Sequence, residues 1–327
     1  MSHRRPPLLW VVSALVLLLA LAGAAASLGG WLSNPRPTGQ PTPTHSPAPP
    51  VAPAGTAQAA LAEAAVWASL AGCAQADWAG LEAGRWNALA ELAALRWRIL
   101  TGPDPVRRID PDPARRPGQP RPAPDRATCL DQAETALAQA EQTEQARAEA
   151  ASGAEAAWWA GLAAAAAQAR HGLTGPWCEV GPIQPLAALA VQDEPTALAA
   201  LIEAYHQTVF AAGAALGLVG PNDSLSQPLR TILEQARRQR DDLIELARAQ
   251  RWPAPAGAPA YDLPPDGDPA SASALVGSAQ AGLASAAAQW VQASQERRPR
   301  AVLALIEAAV LTLPLGQGCA AWPGWPD

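Results

Sequence analysis

The chain has no lysine, and its 23 basic residues are all arginine, which reflects a GC-rich coding sequence rather than a chemical requirement. Charge of either sign is scarce: charged residues make up 16%, and 29 acidic residues leave a formal net charge of -6. A phosphate backbone needs a basic field, so nucleic acid is excluded as a default partner. Four histidines and four cysteines leave little material for metal or nucleophile chemistry. One Phe and two Tyr stand against 13 Trp, and runs of β-branched residues are missing, which excludes a sheet protein. Hydrophobic residues reach 49%, much of it alanine, and 34 prolines and 25 glycines fall in clusters between the alanine-rich stretches. The fold class is all-α, built from segmented helices. No Ser, His and acid set stands on nucleophile-elbow spacing. No glycine-rich phosphate loop precedes a helix, and no Glu pair is framed for glycoside hydrolysis.

Five regions follow from composition. Residues 1–32 are a membrane anchor or signal peptide: Arg4 and Arg5 precede Leu8 to Leu28, 21 residues without a charge, with Trp10 and Trp31 near the two ends. That length crosses a hydrocarbon core of ~30 Å as a helix, and the basic flank places the N-terminus inside and the body outside. A retained single-pass anchor is favoured over secretion after cleavage near Ala26, because the apolar run exceeds a signal core. Residues 33–56 are a Pro-rich linker, extended at ~3.1 Å per residue. Residues 57–175 are an N-terminal helical region, 193–314 a helical bundle and 315–327 a Pro/Trp tail.

Cys73, Cys129, Cys178 and Cys319 form an even set in a chain read as exported, so two disulfides are expected, with all three connectivities open. The N-terminal region holds helical signals from Ala57 to about Leu100 and from about Asp125 to Gly172, the latter weakened at Ser152 and Gly153. The bundle reads more sharply. Asp193, Glu194 and Pro195 start a helix striped by Leu198, Leu201, Ile202, Tyr205, Val209, Ala212 and Leu216. A second begins near Asp223 or Ser224 with Leu225, Leu229, Ile232, Leu233, Ala236, Leu243 and Ala247. A third follows Asp268 with Ala272, Leu275, Val276, Ala279, Leu283, Ala286 and Trp290, running to Arg297 and Arg298 in its last turn. The fourth is Pro299 to Leu313, and four such helices define a four-helix bundle.

Glu203-Ala204-Tyr205-His206 with Phe210 and Gly213, then Arg237-Arg238-Gln239-Arg240-Asp241, then Tyr261-Asp262-Leu263-Pro264 before Asp268-Pro269, resemble the exported actinobacterial proteins that carry a ferritin-like domain of unknown function. The likeness spans roughly residues 193–313 and, more weakly, the Trp322-to-Trp325 tail. It implies a ferritin-like bundle in an extracytoplasmic compartment, and it brings no activity.

Two function classes follow. The first is a non-enzymatic cell-envelope protein whose bundle is an interaction or structural module for a protein or cell-wall partner, without a cofactor. The rival is a metal-binding bundle with iron or manganese, oxidase or storage chemistry, and ligands Glu203, His206 and Glu307. Di-iron bundles need a Glu from each of two helices and Glu-x-x-His from each of the other two. Glu203 and His206 provide one such spacing, but Ala236 and Gln280 stand where the resemblance implies the second imidazole and another carboxylate. At 100° per residue His206 lies about 80° and Glu203 about 140° from the centre of the apolar stripe, so neither faces the core squarely. Among the tryptophans, Trp67, Trp78, Trp86, Trp97, Trp158, Trp159 and Trp290 read as core filling in a background short of large side chains. Trp158 and Trp159 point about 100° apart, so one of them is expected to be exposed, as on a ligand platform, or to bury against a separate surface.

Overall fold

The computed structural model describes Val66, Leu70, Cys73, residues 84–92, Arg96, residues 125–174, residues 189–258, Tyr261, residues 269–311, 313–315 and 322–324. These all fall in one compact unit, Pro47–Asp327. The anchor and the linker read from the sequence lie outside the described residues, as do Cys178 and Cys319. Every regular element is helical, with no strand among the described residues. No described helix is long and apolar enough to cross a membrane. The helices are α1 (Arg126–Ala150), α2 (Gly153–Thr174), α3 (Glu194–Leu218), α4 (Ser226–Ala249), α5 (Pro269–Ala293) and α6 (Arg298–Leu311), with a 3-10 turn at Leu313–Leu315.

Caps set several boundaries. Asp125 and Asp193 each accept a hydrogen bond from the backbone N–H three residues on, at 3.0 and 2.9 Å, and so start α1 and α3. Asp223 accepts from the Leu225 N–H at 2.8 Å and turns the chain into α4, which begins at Ser226, slightly later than its apolar pattern suggests. The weak point at Ser152-Gly153 is a full break. Gly153 takes φ +57°, and α1 and α2 form an antiparallel hairpin fastened by Arg170 on Glu141 at 2.9 Å. The third bundle helix stops earlier than expected, at Ala293. Arg298 opens α6 instead of closing α5, because residues 294–297 turn the chain and the Arg298 Nη2 donates back to the Ser294 carbonyl.

The predicted stripes are buried where size and spacing agree: Leu198, Leu201, Ile202 and Tyr205 on α3, Leu229, Ile232 and Leu243 on α4, Val276, Leu283 and Trp290 on α5. Leu198, Leu201, Ile202, Tyr205, Leu243, Leu283 and Trp290 meet Val302 and Leu305 of α6 in one cluster, and a second cluster joins Leu229, Ile232 and Val276 with Ala211 and Leu311. α2 belongs to the first cluster as fully as the bundle helices do. Every residue from 156 to 169 is buried, because α1 covers one side of α2 while α5 and α6 cover another. A helix apolar all round has to be enclosed, and alanine allows its neighbours to approach closely. Gln168 reaches across to donate to the Ala309 carbonyl of α6 at 2.7 Å. Trp158 and Trp159 are therefore both buried, in the same cluster with their rings 4.7 Å apart edge to face, and neither forms an exposed platform. Trp86 and Trp290 are core residues too; Trp67, Trp78 and Trp97 lie outside the described residues.

A third cluster joins the chain before α1 to the hairpin. Val66, Leu70, Trp86 and Leu89 pack against Leu137 of α1 and Ala166 and Leu173 of α2. Cys73 and Cys129, both buried in that cluster, form a disulfide across 56 positions of sequence.

Candidate functional site

On α3, Glu203, His206 and Phe210 stand within about 60° of one another, since steps of three and seven residues nearly complete one and two turns. The helix buries its Leu and Tyr stripe inward and leaves this face half-buried. Along it run residues 252–258 and Tyr261, from the segment after α4, which act as a strap. Tyr261 donates its hydroxyl proton to Glu203 Oε1 at 2.7 Å and accepts from the Ala258 N–H at 3.0 Å. Its ring lies 5.2 Å from that of Phe210. His206 Nε2 is 3.2 Å from the Pro255 carbonyl oxygen, and a carbonyl only accepts, so the proton resides on Nε2. Gly257 crosses above the imidazole at φ +78°, where a Cβ would come within 2.8 Å of the ring. Only glycine suits that position on both counts.

The strap is held at its other end as well. Trp252 donates its backbone N–H to the Ala247 carbonyl at 2.8 Å, and its ring lies under the Arg297 guanidinium at 4.8 Å. Arg297 in turn reaches Glu194 in the first turn of α3 at 3.5 Å. The Tyr261 hydroxyl is pushed up from its ordinary value by burial and by its bond to the Glu203 carboxylate, which keeps it protonated as a donor.

Glu307 belongs to a different set of contacts. From α6 it accepts the Gln239 side-chain N–H of α4 at 2.7 Å. Desolvation raises its pKa, partly opposed by Arg300, and its charge adds to the burial that raises the Tyr205 hydroxyl. Thus Glu203 and His206 serve the strap, and Glu307 joins α4 to α6. Ala236 and Gln280, at the expected ligand positions, are both fully buried. Among the described residues no group of three or more His, Cys, Asp or Glu side chains is placed to hold a metal ion. His171 is exposed at the end of α2.

The tail contains contacts that sequence reasoning assigned no role. Trp322 is buried on α2, its indole N–H donating to the Trp158 carbonyl at 3.0 Å and its ring 4.6 Å from that of Trp158. The Trp-Pro-Gly composition is the signal that marks this segment, but nothing in it names the receiving helix.

Residues 197–327 match the model of a family described as a domain of unknown function (DUF4439). The match begins inside α3, runs past Trp322, and leaves α1 and α2 outside. No curated protein and no solved structure matches the chain.

Proposed function

We propose that the protein is an exported cell-envelope component in which residues 193–314 form a ferritin-like bundle serving as a structural or interaction module rather than as a catalyst. The observation that carries this reading is the engagement of Glu203 and His206 with the strap. The one Glu-x-x-His pair in the bundle is used to fasten a crossing segment, through Tyr261 and the Pro255 carbonyl. Only Glu203 Oε2 and His206 Nδ1 stay outside these contacts, and among the described residues no third His, Cys, Asp or Glu side chain is grouped with them. The Cys73–Cys129 disulfide supports an oxidising compartment, in keeping with the apolar N-terminal segment. The extracytoplasmic body would meet its protein or cell-wall partner through surfaces held rigid by the helix pack.

Metal analysis of the purified full chain, paired with Glu203→Ala and His206→Ala, tests this. The reading expects no stoichiometric iron, manganese or zinc in the parent, and in both variants a lower Tm with faster proteolysis within residues 252–261. Tight metal at one or more per chain, lost in either variant, would overturn it in favour of a metal-binding bundle.

A further inference from the structure

On α2 the backbone is bare at Gly161, one turn after Trp158. A Cβ built there would lie 2.5 Å from Trp322 Cδ1 and 2.8 Å from its Nε1, so the indole edge occupies the space a side chain would take. The Trp158 carbonyl receives the indole N–H, and the Trp158 ring supplies a tilted wall at 4.6 Å with 48° between the planes. Beyond Trp322 the chain turns at Gly324, φ +91°, whose missing Cβ would lie 2.6 Å from Ala288 of α5 and 3.1 Å from Leu305 of α6. The notch thus has a floor, a wall, a hydrogen-bond acceptor and an exit, each shaped to one chemical group. Leu or Phe would fill the volume without a donor for the second lone pair of the Trp158 carbonyl, whose first serves the helix.

We propose that the notch at Trp158–Gly161 is an indole-recognition site, occupied by the chain's own Trp322 and able to bind an indole ligand with a free N–H when that side chain is withdrawn. Its specificity comes from two features. The absence of a side chain at residue 161 admits the flat edge of the bicycle. The buried carbonyl of Trp158 distinguishes a donor from an isosteric non-donor, because a buried polar contact rejects the analogue that lacks it. A cavity shaped by removal of one aromatic side chain takes up a matching aromatic molecule when the surrounding helices hold their places. Here α2 is held by α1, α5 and α6 independently of the tail.

The experiment uses the full chain carrying Trp322→Ala, with free indole and benzofuran as probes and thermal unfolding followed by circular dichroism as the readout. Indole should raise the Tm of W322A saturably, recovering at least half of the loss, while benzofuran, the same bicycle with a ring oxygen in place of the N–H, should not. Adding Gly161→Ala to W322A should abolish the recovery, because the new methyl group fills the notch. If W322A does not fold, return of helicity in indole alone is the same positive result. Trp322→Phe, which keeps a ring and loses the donor, should fold and show an intermediate Tm. No response to indole, or an equal response to both probes, overturns the proposal, as does undiminished recovery in the Gly161→Ala background.

Discussion

α2 and α4 are helices of similar length, 22 and 24 residues, that meet the demands of burial in opposite ways. α4 is sharply two-faced. Leu229, Ile232, Ala236, Leu243 and Ala247 are buried, while Arg230, Arg237, Arg238, Asp241 and Asp242 are exposed. α2 has no solvent face across its middle, and most of what it buries is alanine. Each buried CH₂-sized group contributes only ~0.8 kcal/mol, so α2 gains less per residue than a leucine-rich helix, but it collects that gain around its whole circumference. The contrast shows that a helix's place in a pack depends on how much of its surface is apolar. The bulk of its largest residues is a poorer guide.

The sharpest way to break this comparison is to place one charge on each helix. Ala164→Glu puts a carboxylate among fully buried neighbours and should cost about 3 to 5 kcal/mol or prevent folding, whereas Arg238→Glu on the open face of α4 should stay within about 0.5 kcal/mol. Urea unfolding of the two variants measures the difference. Equal effects would show that α2 is not enclosed in solution.

Next in size is the bridge that ties the chain before α1 to α1. Reducing Cys73–Cys129, or replacing both residues by Ser, should lower stability by about 2 to 5 kcal/mol, in keeping with a closed loop of this length. Peptide mapping without reductant should recover the Cys73–Cys129 pair, and thiol titration of the unfolded, unreduced chain should find no free thiol.

On the α3 side, Tyr261→Phe keeps the ring against Phe210 and removes the hydroxyl that joins Glu203 to the Ala258 N–H. The loss should be about 0.5 to 1.5 kcal/mol, with faster cleavage of residues 252–261 by a protease and little change in overall helicity. Unchanged cleavage would show that the hydroxyl does not hold the strap.

The smallest expected effect concerns Glu307, and its sign is definite. Desolvation raises its folded-state pKa above the ordinary value of 4.5, so the folded chain binds this proton more tightly than the unfolded chain. Its favourable contribution is complete below about pH 4.5 and is lost as pH rises through the raised value. Glu307→Gln keeps an acceptor for Gln239 and removes the titration. It should match or exceed the parent at pH 7 by less than about 1 kcal/mol, with the gap closing towards pH 4. A variant less stable at pH 7 than at pH 4, relative to the parent, would contradict the burial of this carboxylate.

The comparison of helices also explains what was legible in the sequence. Leu198, Leu201 and Tyr205 were readable as core because large apolar residues at helical spacing, next to polar ones, define a face. α2 offered no such contrast: a stretch of alanines with two adjacent tryptophans has no stripe, and only its neighbours reveal that all sides are covered. Glu203 and His206 were legible as a pair and as lying off the apolar centre. Their partners were not, since Tyr261 and Pro255 are 58 and 49 positions away and reach α3 through a loop with no periodic pattern. Gly257 and Gly161 carry no reading in the sequence, because the side chains that need their missing Cβ atoms come from other segments.

The Trp322–Trp158 contact spans 164 positions of sequence, which sets an order of events during biosynthesis. α2 is made well before the residues that fill its notch, and α5 and α6, which enclose it, come in between. A growing chain therefore carries an alanine-rich helix covered on one side only, by α1, until α5 and α6 are made, and fills its notch only when Trp322 follows them. Long-range closure of this kind slows folding relative to a pack built from neighbouring hairpins. It also makes Trp322 a report on completion of this core, since a product that stops before it leaves the notch at Trp158 and Gly161 unfilled while Trp159 keeps its contacts with Arg147 and Glu155.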